Sequence, residues 1–228
     1  MNFALLIIFM FVAFGLTTLC RKWIDIPTLL AVAIGCACNA NLYTPISHPI
    51  VVGPFVFSVE IVLYTLFIYT IMVRILDYGY KSARTMTFTS VAAILISAFI
   101  ELVASATKNG FSGEVFKVFS YYIFSSIGTI FGVWIMVFIT IHLHKLKVSS
   151  YLIMPFGLII ASVIHSFFFY GGIAVMNVQL DVYSWSEIFG AMIGKSVCIA
   201  LAVLCYFINN KYWIPNNLLK QKAENKGQ

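Results

Sequence analysis

Charge is what this sequence of 228 residues has least of: Asp, Glu, Lys and Arg make up 10% of it, against 61% hydrophobic residues. Soluble domains carry about 25% charged and about 45–50% apolar residues, so water is excluded as the solvent for most of the chain. Catalytic signatures are missing as well. There is no H-E-x-x-H pair, no nucleophile elbow, no Asp-rich lipid-phosphate motif and no glycine-rich phosphate loop, and the expectation is a protein that is not an enzyme and needs no cofactor. The five cysteines, Cys20, Cys36, Cys38, Cys198 and Cys205, lie in or beside apolar runs. Cys36-x-Cys38 has no His or second Cys pair near it, so no metal site is expected and the thiols read as small buried apolar groups.

What is present is a series of long apolar runs. Read against their breakers they give seven segments, at about 2–19, 27–42, 52–73, 85–107, 118–141, 150–176 and 187–208. A membrane-spanning helix needs about 20 residues, so the expected fold is an all-α integral membrane protein. It is a bundle of about seven transmembrane helices in one domain over 1–210, followed by a basic cytoplasmic tail at 211–228. Such a chain leaves no room within these residues for a kinase, cyclase or DNA-binding output domain. The first segment has no basic residues before it, whereas Arg21 and Lys22 follow it. It reads as a retained helix, not a cleaved signal peptide.

The few charges are sorted. If the segments alternate in direction, eleven of the fourteen basic residues fall on one side: Arg21, Lys22, Arg74, Lys81, Arg84, Lys145, Lys147 and the four lysines from Lys211 onward. Only Lys108 and Lys117 fall on the other. Basic residues mark cytoplasmic loops, which puts the N-terminus outside and the C-terminus in the cytoplasm. The net charge of +6 is then a topology device, and no nucleic-acid partner is expected.

Four ionisable side chains break the pattern by lying inside segments: Glu60, Glu101, His165 and Lys195. A charge at a helix centre costs about 2.5–3.5 kcal/mol on insertion scales and usually faces a cavity or a partner. At 1.5 Å per residue the segment ends place them about 12, 9, 16 and 12 Å below the outer side, respectively. Two readings follow from this shared depth. Either a polar chamber opens to the outside among these helices, or Glu60 and Lys195 form a structural ion pair while Glu101 and His165 bond neighbouring groups.

The surroundings favour the chamber. Tyr64 lies four residues from Glu60 on the same helix face, and Phe167, Phe168, Phe169 and Tyr170 follow His165. Aromatic walls with a few convergent polar groups are the usual make-up of a small-molecule pocket, although aromatics alone more often pack or face lipid. Asn39 and Asn41 end the second segment on the outer side, where their amides would bind a ligand or cap a helix. Gly190-x-x-x-Gly194 would let another helix come close. The candidate substrate-binding residues are therefore Glu60, Tyr64, Glu101, His165, Tyr170, Lys195, Asn39 and Asn41.

At Asp77-Tyr78-Gly79-Tyr80-Lys81-Ser82-Ala83-Arg84 the chain resembles the queuosine precursor transporter / vitamin uptake transporter (VUT) family, which carries a Y-G-x-x-x-A-R turn on the cytoplasmic side. Asn39-Ala40-Asn41-Leu42, the Pro/Gly loop into Pro54-Phe55-Val56-Phe57, and His144-Lys145-Leu146-Lys147 fit the same layout, over roughly residues 30–210. Several of the family's polar positions fall here on Met72, Leu76, Met136, Ile139, Ser162 and His165, so Glu60, Glu101 and Lys195 are this chain's own. The resemblance implies a six-helix core plus an N-terminal helix, and transport of a small organic nutrient.

The expected function is uptake of such a nutrient, a vitamin or a queuosine precursor, across a bacterial cytoplasmic membrane. The chain would act as a multi-pass transporter or as the substrate-capture subunit of one. Its partners would be the substrate, the lipid bilayer, and a homo-oligomer or an ATP-binding transport module. The alternative is a membrane sensor or scaffold that binds without translocating.

Overall fold

The computed structural model describes residues 8, 10–17, 31–36, 38, 50–52, 55–57, 59–78, 80–110, 113–175 and 185–212. Nearly all of them are helical. Five long helices carry the fold: α1 (Val59–Tyr78), α2 (Tyr80–Asn109), α3 (Gly113–Lys145), α4 (Ser150–Val175) and α5 (Trp185–Tyr212). Helical residues at 10–17 and 31–36 fall inside the first two expected segments. Among the described residues four helices are long and apolar enough to cross a membrane, over Arg84–Ala104, Tyr122–Lys145, Ser150–Gly172 and Phe189–Ile208. The shortest of these stretches, 20 residues, is about 30 Å long, the thickness of a bilayer core.

The outer surfaces fit lipid. Phe88, Leu95, Ile96, Phe99 and Ile100 on α2, Trp134 and Phe138 on α3, and Leu152, Phe156 and Phe167 on α4 are all exposed. A soluble protein of this size would not leave so continuous an apolar surface in water. The bundle is built around α1, which contacts α2, α3, α4 and α5. Every residue from Ile61 to Ile75 in it is buried. A helix that is apolar all round belongs inside protein or lipid, and here it lies inside protein.

Three expectations need correction. The third segment does not start as a helix at 52. Instead Ile50–Val52 (β1) and Phe55–Phe57 (β2) pair antiparallel, with Ile50 opposite Phe57 and Val52 opposite Phe55. The run is apolar throughout, so hydropathy alone could not distinguish strand from helix. Its β-branched residues and the intervening Gly53-Pro54 are the strand-and-turn signals. Strand β2 lies against α5, and irregular backbone in a membrane protein is tolerated where protein covers it. Because α1 begins at Val59, Glu60 sits in its first turn and not about 12 Å along a span.

The second correction is the Arg74–Arg84 break, which is mostly helix: α1 runs to Tyr78 and α2 starts at Tyr80, leaving Gly79 between them. Charged residues end an apolar run without ending a helix. The third is the His142–Ser149 connection, since α3 continues to Lys145. Lys147 N–H donates to His144 O at 3.0 Å and Val148 N–H to Leu143 O at 3.1 Å, with Lys147 at φ 57°. This is the paired-bond helix stop that usually places glycine at the left-handed position. Ser149 then caps α4, its Oγ accepting from Tyr151 N–H at 3.3 Å.

Candidate functional site

Helix α4 has a regular pattern of burial: Ile153 and Met154, Gly157 and Leu158, Ala161 and Ser162, His165 and Ser166, Phe169 and Tyr170 are buried in pairs every four residues. Four residues slightly exceed one turn, so the pairs form one inclined stripe. Two of the first members, Ala161 and His165, face α3. A β-carbon on Gly132 would lie 2.8 Å from Ala161 O and one on Gly128 2.9 Å from His165 O. One on Gly157 would meet Met72 Cε of α1 at 2.9 Å and Met136 Cγ of α3 at 3.3 Å. Gly128-x-x-x-Gly132 thus brings the two backbones together. On the other side, Ser162 and Ser166 face α5.

Lys195 of α5 reaches into this stripe. Its Nζ donates to Ser166 Oγ at 2.9 Å and lies 3.2 Å from His165 Nδ1. With Lys195 protonated, Nδ1 is the acceptor and the imidazole proton resides on Nε2. His165 is ten residues from the end of α4 and Lys195 ten residues from the start of α5, so each lies about 15 Å along its helix from the shared connection. In an antiparallel pair equal offsets meet, and the two side chains do. Lys195 is 4% exposed and His165 6%, so both are withdrawn from solvent and lipid.

Aromatic rings complete the enclosure. The Tyr64 ring lies 4.0 Å from the His165 ring, tilted by 32°, and its hydroxyl donates to Ala161 O at 3.3 Å. Lys195 Nζ is 5.2 Å from the Tyr64 ring and 6.0 Å from that of Tyr170, within reach of a cation–π attraction. Phe169 stacks on the far side of His165 at 5.8 Å. Phe168 stacks on Phe131 of α3 at 4.9 Å, while Phe167 points outward. The aromatic run therefore divides between site, helix packing and lipid surface.

Among the described residues two buried polar atoms at this centre have no hydrogen-bond partner, His165 Nε2 and Ser162 Oγ. Buried polar groups are nearly always paired, and an orphan costs about 1–3 kcal/mol. Ser162, Ser166 and Lys195 line a cavity of about 150 Å³ between α4 and α5. Its exposed lining is Ile159, Val163, Phe189, Ile193 and Ser196.

Of the expected site residues, Tyr64, His165, Tyr170 and Lys195 come together. Glu60 and Glu101 have described backbone in α1 and α2, but their side chains lie outside the described residues, as do Asn39 and Asn41 altogether. The expected site residues did not include Ser162 and Ser166, although their i, i+4 spacing beside His165 marks one face. Nor did they include Gly128-x-x-x-Gly132, which has the same spacing as Gly190-x-x-x-Gly194 on the last helix. Cys36, Cys198 and Cys205 are buried as expected. Among the described residues no three of His, Cys, Asp and Glu converge as metal ligands would. Comparison of the chain with protein-family models, curated proteins and solved structures finds no match.

Proposed function

We propose that this chain is a multi-pass transporter, or the substrate-capture subunit of one, which takes up a small organic nutrient across a bacterial cytoplasmic membrane. The observation that carries this reading is the buried Lys195–His165–Ser166 cluster, ringed by Tyr64 and Tyr170 and adjoining a cavity, in helices whose outer faces are apolar. Ionisable groups are expensive at such depth and in membrane proteins usually mark substrate or ion pathways. A site midway along helices also suits alternating access, in which helices rock about a fixed binding position.

The sorting of eleven basic residues to one side supports seven spans with the N-terminus outside and the C-terminus in the cytoplasm. The resemblance around Tyr78-Gly79-Tyr80 supports a vitamin or queuosine precursor as cargo. Glu60, Glu101, Asn39 and Asn41 are further substrate contacts in this reading, and no chemical step is involved. Energy from ATP would come from a partner module. The site binds and releases.

The test is thermal stabilisation of the purified chain against a panel of vitamins, nucleobases and 7-deazaguanines. A hit should raise Tm in proportion to its concentration, and Lys195→Ala should abolish the shift. The reading fails if no compound in the panel binds and no uptake accompanies expression. It fails equally if an identified ligand binds unchanged to both Lys195→Ala and Glu60→Ala.

A further inference from the structure

The turn between α3 and α4 carries charge that the Lys195 site does not use. His142, His144, Lys145 and Lys147 are all exposed there. Neither helix supplies a carboxylate to balance them: α4 has no Asp or Glu, and the one in α3, Glu114, is at the opposite end. The stretches apolar enough to cross a membrane stop at Lys145 and resume at Ser150, so the turn lies where hydrocarbon gives way to headgroups. Tyr151, half exposed in the first turn of α4, is the kind of ring that marks this boundary.

Two features go beyond a sorting of charge. Lys147 is the only non-glycine residue at positive φ among the described residues, at 57°. Its place in the helix stop belongs by preference to glycine, which adopts this backbone without the β-carbon clash that a lysine meets. A lysine anywhere in the connection would mark the cytoplasmic side equally well, and Lys145 already complements the negative end of α3. Backbone strain of this kind persists where a side chain has a task. Leu146, between the two lysines, is 63% exposed. In water that is unfavourable; at the bilayer boundary the leucine enters the acyl region while the lysines reach out to the phosphates. The start of α4 opens at the same place, and its free amide end adds positive potential.

From these features we infer that the α3–α4 turn binds the headgroup of an anionic phospholipid of the phosphatidylglycerol type. Lys145 and Lys147 hold its phosphate, the imidazoles of His142 and His144 offer N–H donors beside it, and Leu146 and Leu152 lie along its acyl chains. A soluble anion would leave Leu146 in water, and a zwitterionic lipid brings a cation that the lysines repel. The bound lipid stabilises the bundle at the connection that closes the α3–α4 contact.

The test uses the full chain in nanodiscs of phosphatidylcholine alone and of phosphatidylcholine mixed with phosphatidylglycerol. Phosphatidylglycerol should raise Tm by several degrees at low salt and by less at high salt, where exposed charges are screened. Glycerol phosphate added to phosphatidylcholine discs should give no shift. Lys145→Gln combined with Lys147→Gln should remove most of the shift, and Leu146→Ser should reduce it without changing the charge. Lys147→Gly separates binding from folding. It relieves the backbone, so Tm in phosphatidylcholine alone should rise slightly, while the phosphatidylglycerol shift should fall by about half. Lys220→Gln combined with Lys222→Gln removes equal charge from the tail and should leave the shift intact. The inference is overturned if phosphatidylglycerol has no effect, or if Lys147→Gly or Leu146→Ser keeps the whole shift. It is also overturned if the tail variant cancels the shift as fully as the turn variant, since the attraction would then belong to the basic face in general. A response to glycerol phosphate equal to that to the lipid would overturn it too, the site then being one for soluble anions. None of these measurements involves Lys195, so the uptake reading stands or falls separately.

Discussion

Helix α4 meets α3 and α5 with the two edges of one buried stripe, and the two contacts are made of different material. Toward α3 it offers Ala161 and the backbone of His165, against which Gly132 and Gly128 close without space for a β-carbon. Toward α5 it offers Ser162, Ser166 and the ring of His165, and there the structure leaves a cavity and accepts a buried ammonium. His165 belongs to both edges: its main chain is held on the α3 side while its ring faces Lys195. Labour is thus divided within a single helix. One contact fixes position by sterics, and the other, freed from that task, can hold polar groups that pack poorly.

The contrast can be broken first on the α3 side. Gly128→Leu would drive a side chain into the His165 carbonyl, which is main chain and cannot swing aside. Overpacking of this kind costs about 3 kcal/mol or more, and the expected result is a large drop in Tm together with loss of any ligand binding. On the α5 side Lys195→Met keeps the volume but strands Ser166 Oγ and His165 Nδ1. An unpaired buried group costs about 1–3 kcal/mol, partly offset because a buried charge is removed. A smaller fall, near 2 kcal/mol, is therefore expected; an unchanged Tm would show that the cluster does not stabilise the bundle.

Two milder changes sharpen the comparison. Ser149→Ala removes the cap of α4 at the connection that completes the α3 contact, and should cost about 1 kcal/mol, measured as a modest Tm shift with binding intact. Gly171→Ala lies on a face of α4 turned away from both contacts, where a new β-carbon would meet nothing within 4 Å. With no steric penalty, better helix propensity should stabilise by up to about 1 kcal/mol. Opposite signs at Gly128 and Gly171, on unfolding of detergent-solubilised protein, would tie the difference to contact and not to glycine itself.

Much of this was legible in the residues, for particular reasons. The order of apolar segments needs only hydropathy, and among the described residues four helices are long and apolar enough to cross a membrane. The meeting of His165 and Lys195 followed from depth, because antiparallel neighbours bring equal offsets together. Other features were hidden by the same chemistry that made the segments visible. Strands β1 and β2 are as apolar as a helix, so only β-branching and Gly53-Pro54 distinguished them. Arg74 and Lys81 looked like loop because charge was read as a boundary, whereas the backbone there continues as helix. Ser162 and Ser166 carry too little polarity to interrupt an apolar run, yet they supply the hydroxyls beside the ammonium. Gly128 was overlooked because a glycine's importance depends on which atom lies opposite, and a single sequence does not display that.

The all-round burial of α1 has a consequence for how the protein is made. A chain emerging from the ribosome delivers α1 before any of the four long helices that later surround it. During that interval much of its surface from Ile61 to Val73 would face lipid, which it suits because its side chains are largely apolar and the Thr65 and Thr70 hydroxyls bond their own helix. Arg74, fully buried in the finished bundle, is the residue for which the wait is costly. Its place near the end of the helix lets a long side chain reach toward the membrane surface until its partners arrive. Assembly then becomes a replacement of one apolar solvent by another around a helix already in position.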